Sequence, residues 1–278
     1  MTDPIVSRET SMRVAEMLSL AYFTYLPVAG WLSGSRMRPG WPEVACGALA
    51  GVAWGLHLVV SGWVGGEIRN WAPGAFLILA YWMSKPYLGR LRPGMERRLL
   101  AVDCRLFGHG LKGLAERAPR GVLEALELAY LSCYAFVPAG LVVLALSGNA
   151  ASADRYWTAV LTAALPCYGL LPWIHTRPPR CVEHDPPIDR RRLAFRRINR
   201  AVLANASVHA NTFPSAHVAA SLPAALMVAS SALPWAGAVF LALAAAITIG
   251  AVAGRYHYGA DALLGALLGV LGFLAGSF

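Results

Sequence analysis

Residues 211–261 read NTFPSAHVAASLPAALMVASSALPWAGAVFLALAAAITIGAVAGRYHYGAD. Between His217 and Arg255 this stretch has no Asp, Glu, Lys or Arg. It is long enough for two helices joined through Pro234, each able to cross a hydrocarbon core of about 30 Å at roughly 1.5 Å per residue. The ionisable groups stand only at its ends, His217 at one and Arg255, His257 and Asp261 at the other. Such groups are costly at a membrane edge unless they pair or act. The same residues therefore bear on the fold and on the chemistry.

The rest of the chain agrees with a membrane reading. Apolar types make up 57% of the 278 residues and charged ones 14%, against roughly 25% charged in a soluble domain. Apolar runs at 14–34, 43–66, 71–89, 122–147, 156–175, 216–233, 234–254 and 258–278 predict an all-α integral membrane protein of about eight transmembrane helices. The first run is broken by Tyr22, Tyr25 and Pro27 and followed by several others, so it reads as a retained span. Between the third and fourth runs, Leu99, Leu100, Val102 and Leu106 alternate with Arg97, Arg98, Asp103 and Arg105. That two-faced pattern predicts an interfacial helix near 94–106.

The net charge is +9, nearly all of the basic residues being arginine, whose fork suits phosphate. In so apolar a chain the expected partner is an anionic lipid in a membrane, not nucleic acid. If the spans alternate, Arg36, Arg38, the 85–120 segment, the 177–200 segment and Arg255 share one face, opposite Arg8, Arg13, Arg69 and Arg155. By the positive-inside rule that face, which also carries the ionisable cluster, is expected in the cytoplasm. Cys46, Cys104, Cys133, Cys167 and Cys181 show no paired spacing, and neither a disulfide framework nor a metal site is expected from them. No cofactor is expected.

His257 and Asp261 stand four apart, which stacks them on one helical face. A carboxylate receiving the imidazole N–H fixes the tautomer and frees the other ring nitrogen as base, nucleophile or ligand. A satisfied buried hydrogen bond is the plainer alternative for that pair, and interfacial anchoring is the alternative for the Gly-Arg-Tyr-His-Tyr-Gly segment. Pro214 and Ser215 open a helix whose first-turn N–H groups and dipole favour an anion, with His217 facing it. Arg177-Pro178-Pro179-Arg180 ends the fifth run on the same face and holds two guanidinium groups in a stiff turn, as phosphate contacts or as topology-setting flanks. Together these residues fit phosphoryl transfer.

At these residues the chain resembles the type 2 phosphatidic acid phosphatase (PAP2) superfamily, with motifs K-x6-R-P, P-S-G-H and S-R-x5-H-x3-D. Pro214-Ser215-Ala216-His217 corresponds to the second, and Arg255, His257 and Asp261 to the third. Tyr256-His257-Tyr258-Gly259-Ala260-Asp261 has the form usual in the inositol phosphorylceramide and sphingomyelin synthase branch. The resemblance implies that His257 attacks phosphorus, Asp261 orients it and His217 protonates the leaving group. It also implies that Ser215 and arginine bind the phosphate without a metal. Ala216 stands where the family has glycine, and Arg255 stands two residues before His257 where the family has its arginine six before. Lys85 through Arg92-Pro93 matches the first motif by letter but lies two runs too early; Arg180, then Arg177, hold the expected place. The resemblance also implies a six-helix PAP2-like core over 67–278, with 1–66 as two accessory transmembrane helices.

The expected function is hydrolysis of a phosphate or pyrophosphate ester of a lipid through a phosphohistidine. The substrate classes are an anionic phospholipid or an isoprenyl or sphingolipid phosphate. A lipid hydroxyl replacing water would make the same site a phosphotransferase. Alternatives of other kinds are a non-catalytic anionic-lipid binder or transporter, and a metal hydrolase using His217, His257 and Asp261. Asp261 disfavours the binder, because a carboxylate beside the histidine weakens anion binding. The nearby arginines disfavour a dication.

Overall fold

The computed structural model describes residues 11–35, 40–59, 63–108, 117–149, 152–184, 186–231 and 233–278. Arg8, Arg36 and Arg38 lie outside the described residues. The helices are α1 (Val14–Leu32), α2 (Trp41–Val59), α3 (Trp63–Met83), α4 (Pro93–Phe107), α5 (Arg120–Leu146), α6 (Ala153–Gly169), α7 (Ala194–Ala206), α8 (Ala216–Ser231), α9 (Pro234–Ala253) and α10 (Gly259–Ser277). Short 3-10 turns occupy Lys85–Tyr87, Pro179–Cys181 and Pro187–Arg190. No strand is present among the described residues beyond two isolated bridges, Leu91 with His175 and Thr176 with Asn211.

Three helices, α5, α9 and α10, are long and apolar enough to cross a membrane, and α8 is a shorter apolar helix. The chain is a membrane protein. Helices α6 and α8 are only 17 and 16 residues long. Helices α1 and α3 carry Glu16 and Arg69 inside them. Helix α2 carries Glu43 in its first turn, so five of the eight expected spans are not among the helices long and apolar enough to cross a membrane. The break expected between 66 and 67 falls inside α3, which begins at Trp63. The third run ends early, at Met83, because Pro86 disfavours helical geometry at Lys85.

Helix α6 is the hub. It is buried nearly all round, from Tyr156 and Trp157 through Ala163 and Ala164 to Cys167, and it packs against α10, α8, α1 and α3. A Cβ at Gly272 of α10 would stand 2.3 Å from the Ala159 carbonyl oxygen, so only glycine allows this approach. Small residues let membrane helices gain van der Waals contact that the hydrophobic effect does not supply there. On the other side α8 packs against α9, and α5 against α9, with Phe136 and Phe240 rings 4.7 Å apart. The outer faces present Leu146, Ile249, Leu263, Leu267 and Leu271, as expected where the solvent is hydrocarbon.

At the end of the bundle where α1 and α6 begin, Glu16 accepts from Arg69 at 2.6 and 2.9 Å, and Asp154 accepts the Ala15 N–H at 3.0 Å. The pair is fully buried and ties α1 to α3. At the opposite end, where α6 stops, the loop before α4, the loops on either side of α7 and the loop after α9 converge. Helix α7 is pinned there by Arg196, which pairs with Glu127 of α5 at 2.8 Å and Asp189 at 2.6 Å.

Candidate active site

Four chain segments meet at this end: 171–181 after α6, 207–217 leading into α8, 254–261 between α9 and α10, and 84–93 after α3. The first two bridge through backbone, the Asn211 N–H donating to the Thr176 carbonyl at 2.7 Å. The starts of α8 and α10 are joined by the Ser215 N–H donating to the Asp261 carbonyl at 3.0 Å. The Arg180 N–H donates to the Arg255 carbonyl at 3.1 Å. The segment at 84–93 runs beside 171–175, with the Arg92 N–H on the His175 carbonyl at 2.9 Å. Residues from 84 to 261 in the sequence thus meet at one end of the bundle.

His217 lies in the first turn of α8 and His257 in the loop before α10. Their rings meet directly: His217 Nδ1 is 3.2 Å from His257 Nε2. His257 is buried. Burial first, and then the Arg180 charge, push its pKa down to about 3. The imidazole is therefore neutral at ordinary pH and keeps a nucleophilic lone pair.

Asp261 is the third residue of α10 and fully buried. Its Oδ2 accepts the Tyr258 N–H at 3.0 Å and Asn211 Nδ2 at 2.8 Å. The same oxygen stands 3.6 Å from His257 Nδ1, too far for a hydrogen bond. The direct bond expected of the four-residue spacing is thus not formed, although the two groups face each other. Asn211 holds the carboxylate instead, and its amide also donates to Thr176 Oγ1 at 3.3 Å.

Four buried side-chain polar atoms among the described residues lack a hydrogen-bond partner, and all four lie here: Asn211 Oδ1, Ser215 Oγ, His257 Nδ1 and Asp261 Oδ1. Buried polar atoms are nearly always paired, so their clustering at one place marks a site built for something other than stability. Ser215 is fully buried at the mouth of α8, where Thr212 Oγ1 accepts the Ala216 N–H at 3.2 Å.

The arginines separate into two kinds. Arg180 is half-buried, its guanidinium 5.3 Å above the Tyr256 ring, with no ion pair among the described residues. Arg177 is gripped by buried Glu96 of α4, which accepts its backbone N–H at 2.8 Å and its side chain at 2.9 and 3.1 Å. That contact holds the Glu96 carboxyl below its usual range. Arg255 pairs with Glu183 at 2.8 Å and with Asp103 at 3.3 Å. Arg180 therefore stands beside the histidines with its charge uncommitted, whereas Arg177 and Arg255 brace the surrounding loops.

Reading the sequence missed Asn211 and the aromatic wall. Tyr130 of α5 stacks on His217, ring centroids 4.6 Å apart, and on Tyr256 at 4.0 Å. Tyr256 Oη donates to Glu127 at 2.5 Å, and Asn199 donates to the same carboxylate at 2.8 Å. The wall is thus fixed to the α5–α7 contact. Asn211 carried one signal, its place six residues before His217 within the stretch that opens α8.

The arrangement provides a buried neutral imidazole, a second imidazole against it, a carboxyl group behind it and, beside both, a guanidinium with no ion pair among the described residues. Searches of curated proteins and of solved structures each return no match. The protein-family model described as the PAP2 superfamily matches residues 97–275. That range includes His217, His257, Asp261, Arg180 and Asn211, and the chain belongs to the PAP2 superfamily.

Proposed function

We propose that the protein is a membrane lipid phosphatase that cleaves a phosphate or pyrophosphate ester of a lipid through a phosphohistidine at His257. The contact between His217 Nδ1 and His257 Nε2 at 3.2 Å, with Arg180 uncommitted beside it, carries this reading. Superfamily membership supports a phosphatase-type or phosphotransferase-type lipid enzyme.

In the proposed cycle the phosphate enters between the two rings. A phosphorus atom in line with its leaving oxygen needs about 3 Å from the nucleophile and a further hydrogen bond to the acid, so one imidazole swings aside. His217 takes a proton from the arriving phosphate monoanion; His257 Nε2 then forms a bond to phosphorus, the bond from phosphorus to the lipid oxygen breaks, and His217 gives that oxygen the proton. Asp261 faces Nδ1 and stabilises the imidazolium phosphate. Arg180 and the unpaired Ser215 hydroxyl bind the equatorial oxygens. Water then attacks phosphorus, returns a proton to His217, and the nitrogen–phosphorus bond breaks.

A lipid hydroxyl in place of water gives the phosphotransferase reading. The form of Tyr256-His257-Tyr258 with Asp261 supports it and the inositol phosphorylceramide synthase-like branch. The arrangement proposed around the site is eight membrane crossings, with 67–278 as the catalytic core and 1–66 as accessory helices. Arginine-rich loops at the active end support a cytoplasmic face. Thiol labelling of Cys181, exposed beside Arg180, in sealed vesicles tests the side.

The test of activity is incubation of purified protein with phosphatidic acid and isoprenyl pyrophosphate, with and without a hydroxylated lipid, in the presence of a chelator. Release of phosphate supports the phosphatase, and transfer of headgroup supports the transferase. Binding without either supports a binder. Activity abolished by chelation supports a metal hydrolase.

A further inference from the structure

Asp103 is a buried carboxylate of α4, and its two oxygens reach both sides of the loop that carries His257. Oδ1 accepts the Gly259 N–H at 2.7 Å, and Oδ2 faces Arg255 Nη1 at 3.3 Å. Arg255 stands two residues before His257 and Gly259 two after it. A single side chain more than 150 positions upstream thus brackets the histidine. Helix α4 lies close enough for this: a Cβ at Gly259 would stand 2.1 Å from Phe107 Cε2, so the end of α4 rests directly on the first residue of α10.

The position of the His257 ring depends on that backbone. Its main-chain N–H donates to the Ala251 carbonyl at 3.0 Å. Of the ring nitrogens, Nδ1 has no hydrogen-bond partner and Nε2 meets His217, the other imidazole of the pair. Among the described residues no hydrogen bond from outside the pair pins the imidazole, so its place follows the course of residues 255 to 259. Arg255 has a φ of +59°, a left-handed conformation that residues other than glycine seldom adopt. Such a conformation persists where neighbouring contacts over-determine it. Here the Arg255 side chain is held by Asp103 and by Glu183, whose Oε2 accepts Arg255 Nε at 2.8 Å. A buried ion pair is weak evidence of stabilisation, because apolar residues of similar volume often serve as well. What Asp103 adds is the place at which it holds the chain.

We propose that Asp103 is a positioning residue for His257: by holding Arg255 and Gly259 it sets where the imidazole stands, without itself touching the substrate. The proposal rests on the reading of His257 as the nucleophile and adds to it a residue of α4. Displacement of a reacting group by about 1 Å can cost about a hundredfold in rate, so loosening one of two holds on the loop is felt in the chemical step more than in substrate binding.

The test uses the full chain in neutral detergent, with whichever of dioctanoyl phosphatidic acid and isoprenyl pyrophosphate the wild type turns over, and rates taken per folded protein. Asp103→Asn keeps an oxygen for the Gly259 N–H and removes the charge facing Arg255. It is expected to lower kcat by about tenfold, and to slow single-turnover labelling of His257 equally, with KM within about twofold of wild type. Arg255→Gln breaks the same contact from its other partner, and serves alone if Asp103→Asn yields no folded protein. In the Arg255→Gln background Asp103→Asn is expected to cost less than about a further twofold. Amide hydrogen exchange, which needs no substrate, is expected to quicken by about tenfold or more at Gly259 in Asp103→Ala. Unchanged kcat, an effect on KM alone, losses that multiply in the double variant, or unchanged exchange at Gly259 overturns the proposal. Wild-type turnover with no label on His257 overturns instead the nucleophile reading, and is decided on the wild type alone.

Discussion

Asn211 Nδ2 donates to Asp261 Oδ2 at 2.8 Å, across the junction between the loop entering α8 and the first turn of α10. That bond holds the carboxylate facing His257 Nδ1 at 3.6 Å. In the proposed mechanism the orientation of His257 is therefore indirect: amide to carboxylate, carboxylate to imidazole. Closing the last gap takes a movement of under about 1 Å.

Replacing Asn211 by Leu removes a donor from a buried carboxylate. We expect kcat to fall by about tenfold to a hundredfold, with KM changed little, because the loss is felt as charge develops on the imidazole. Asn211→Gln is expected to restore part of the rate. Steady-state kinetics on both variants check this, and a KM effect alone would place Asn211 in substrate binding.

Asp261→Asn keeps the shape and removes the anion. The rate is expected to drop by about a thousandfold or more, since the imidazole loses both its tautomer and the stabilisation of its cation. Single-turnover measurement of phosphate release separates this from slower product departure.

Arg180 and Arg177, three residues apart, are expected to behave differently. Arg180→Ala lowers kcat/KM by about a hundredfold through loss of a charge-assisted phosphate contact. Arg177→Ala acts on stability, because it leaves Glu96 buried without its cation. The sign of the pH effect follows from Glu96: its folded pKa lies below the ordinary 4.5, so its contribution is present above that value and is lost as pH falls through the folded one. Wild-type Tm is therefore expected to fall more steeply below about pH 4.5 than that of Arg177→Ala. Equal slopes in differential scanning fluorimetry would refute the role given to this pair.

Tyr130 lies between His217 and Tyr256 with near-parallel rings on both sides. Tyr130→Leu is expected to loosen His217 and lower kcat by about tenfold, whereas Tyr130→Phe keeps the stack and the rate. Paired kcat and Tm measurements distinguish this from a loss of folding.

The apolar runs that became α5, α9 and α10, and the ends where His217, His257 and Asp261 stand, were legible in the sequence because hydropathy and motif spacing are local properties. Helices α1 and α3 were legible as runs, but not the pairing of Glu16 with Arg69 across 53 positions that allows their charges to be buried. The same limit applies to the arginines. Arg177 and Arg255 stand near the motifs and read as phosphate ligands. Their carboxylate partners, Glu96, Glu183 and Asp103, are 81, 72 and 152 residues away, so nothing local announces that those charges are already matched. Asn211 went unread because an amide near a helix start is ordinary, and its role appears only once α10 brings Asp261 against it.

The central claim is that His257 becomes phosphorylated. Its direct measurement is an alkaline quench of purified protein turning over a radiolabelled phosphatidic acid or isoprenyl pyrophosphate, followed by peptide mapping of the retained label. Label on the peptide containing His257, stable in base, lost in acid and absent from His257→Ala, is the expected result. Turnover at an undiminished rate in His257→Ala, or label that maps to His217 or elsewhere, would contradict it.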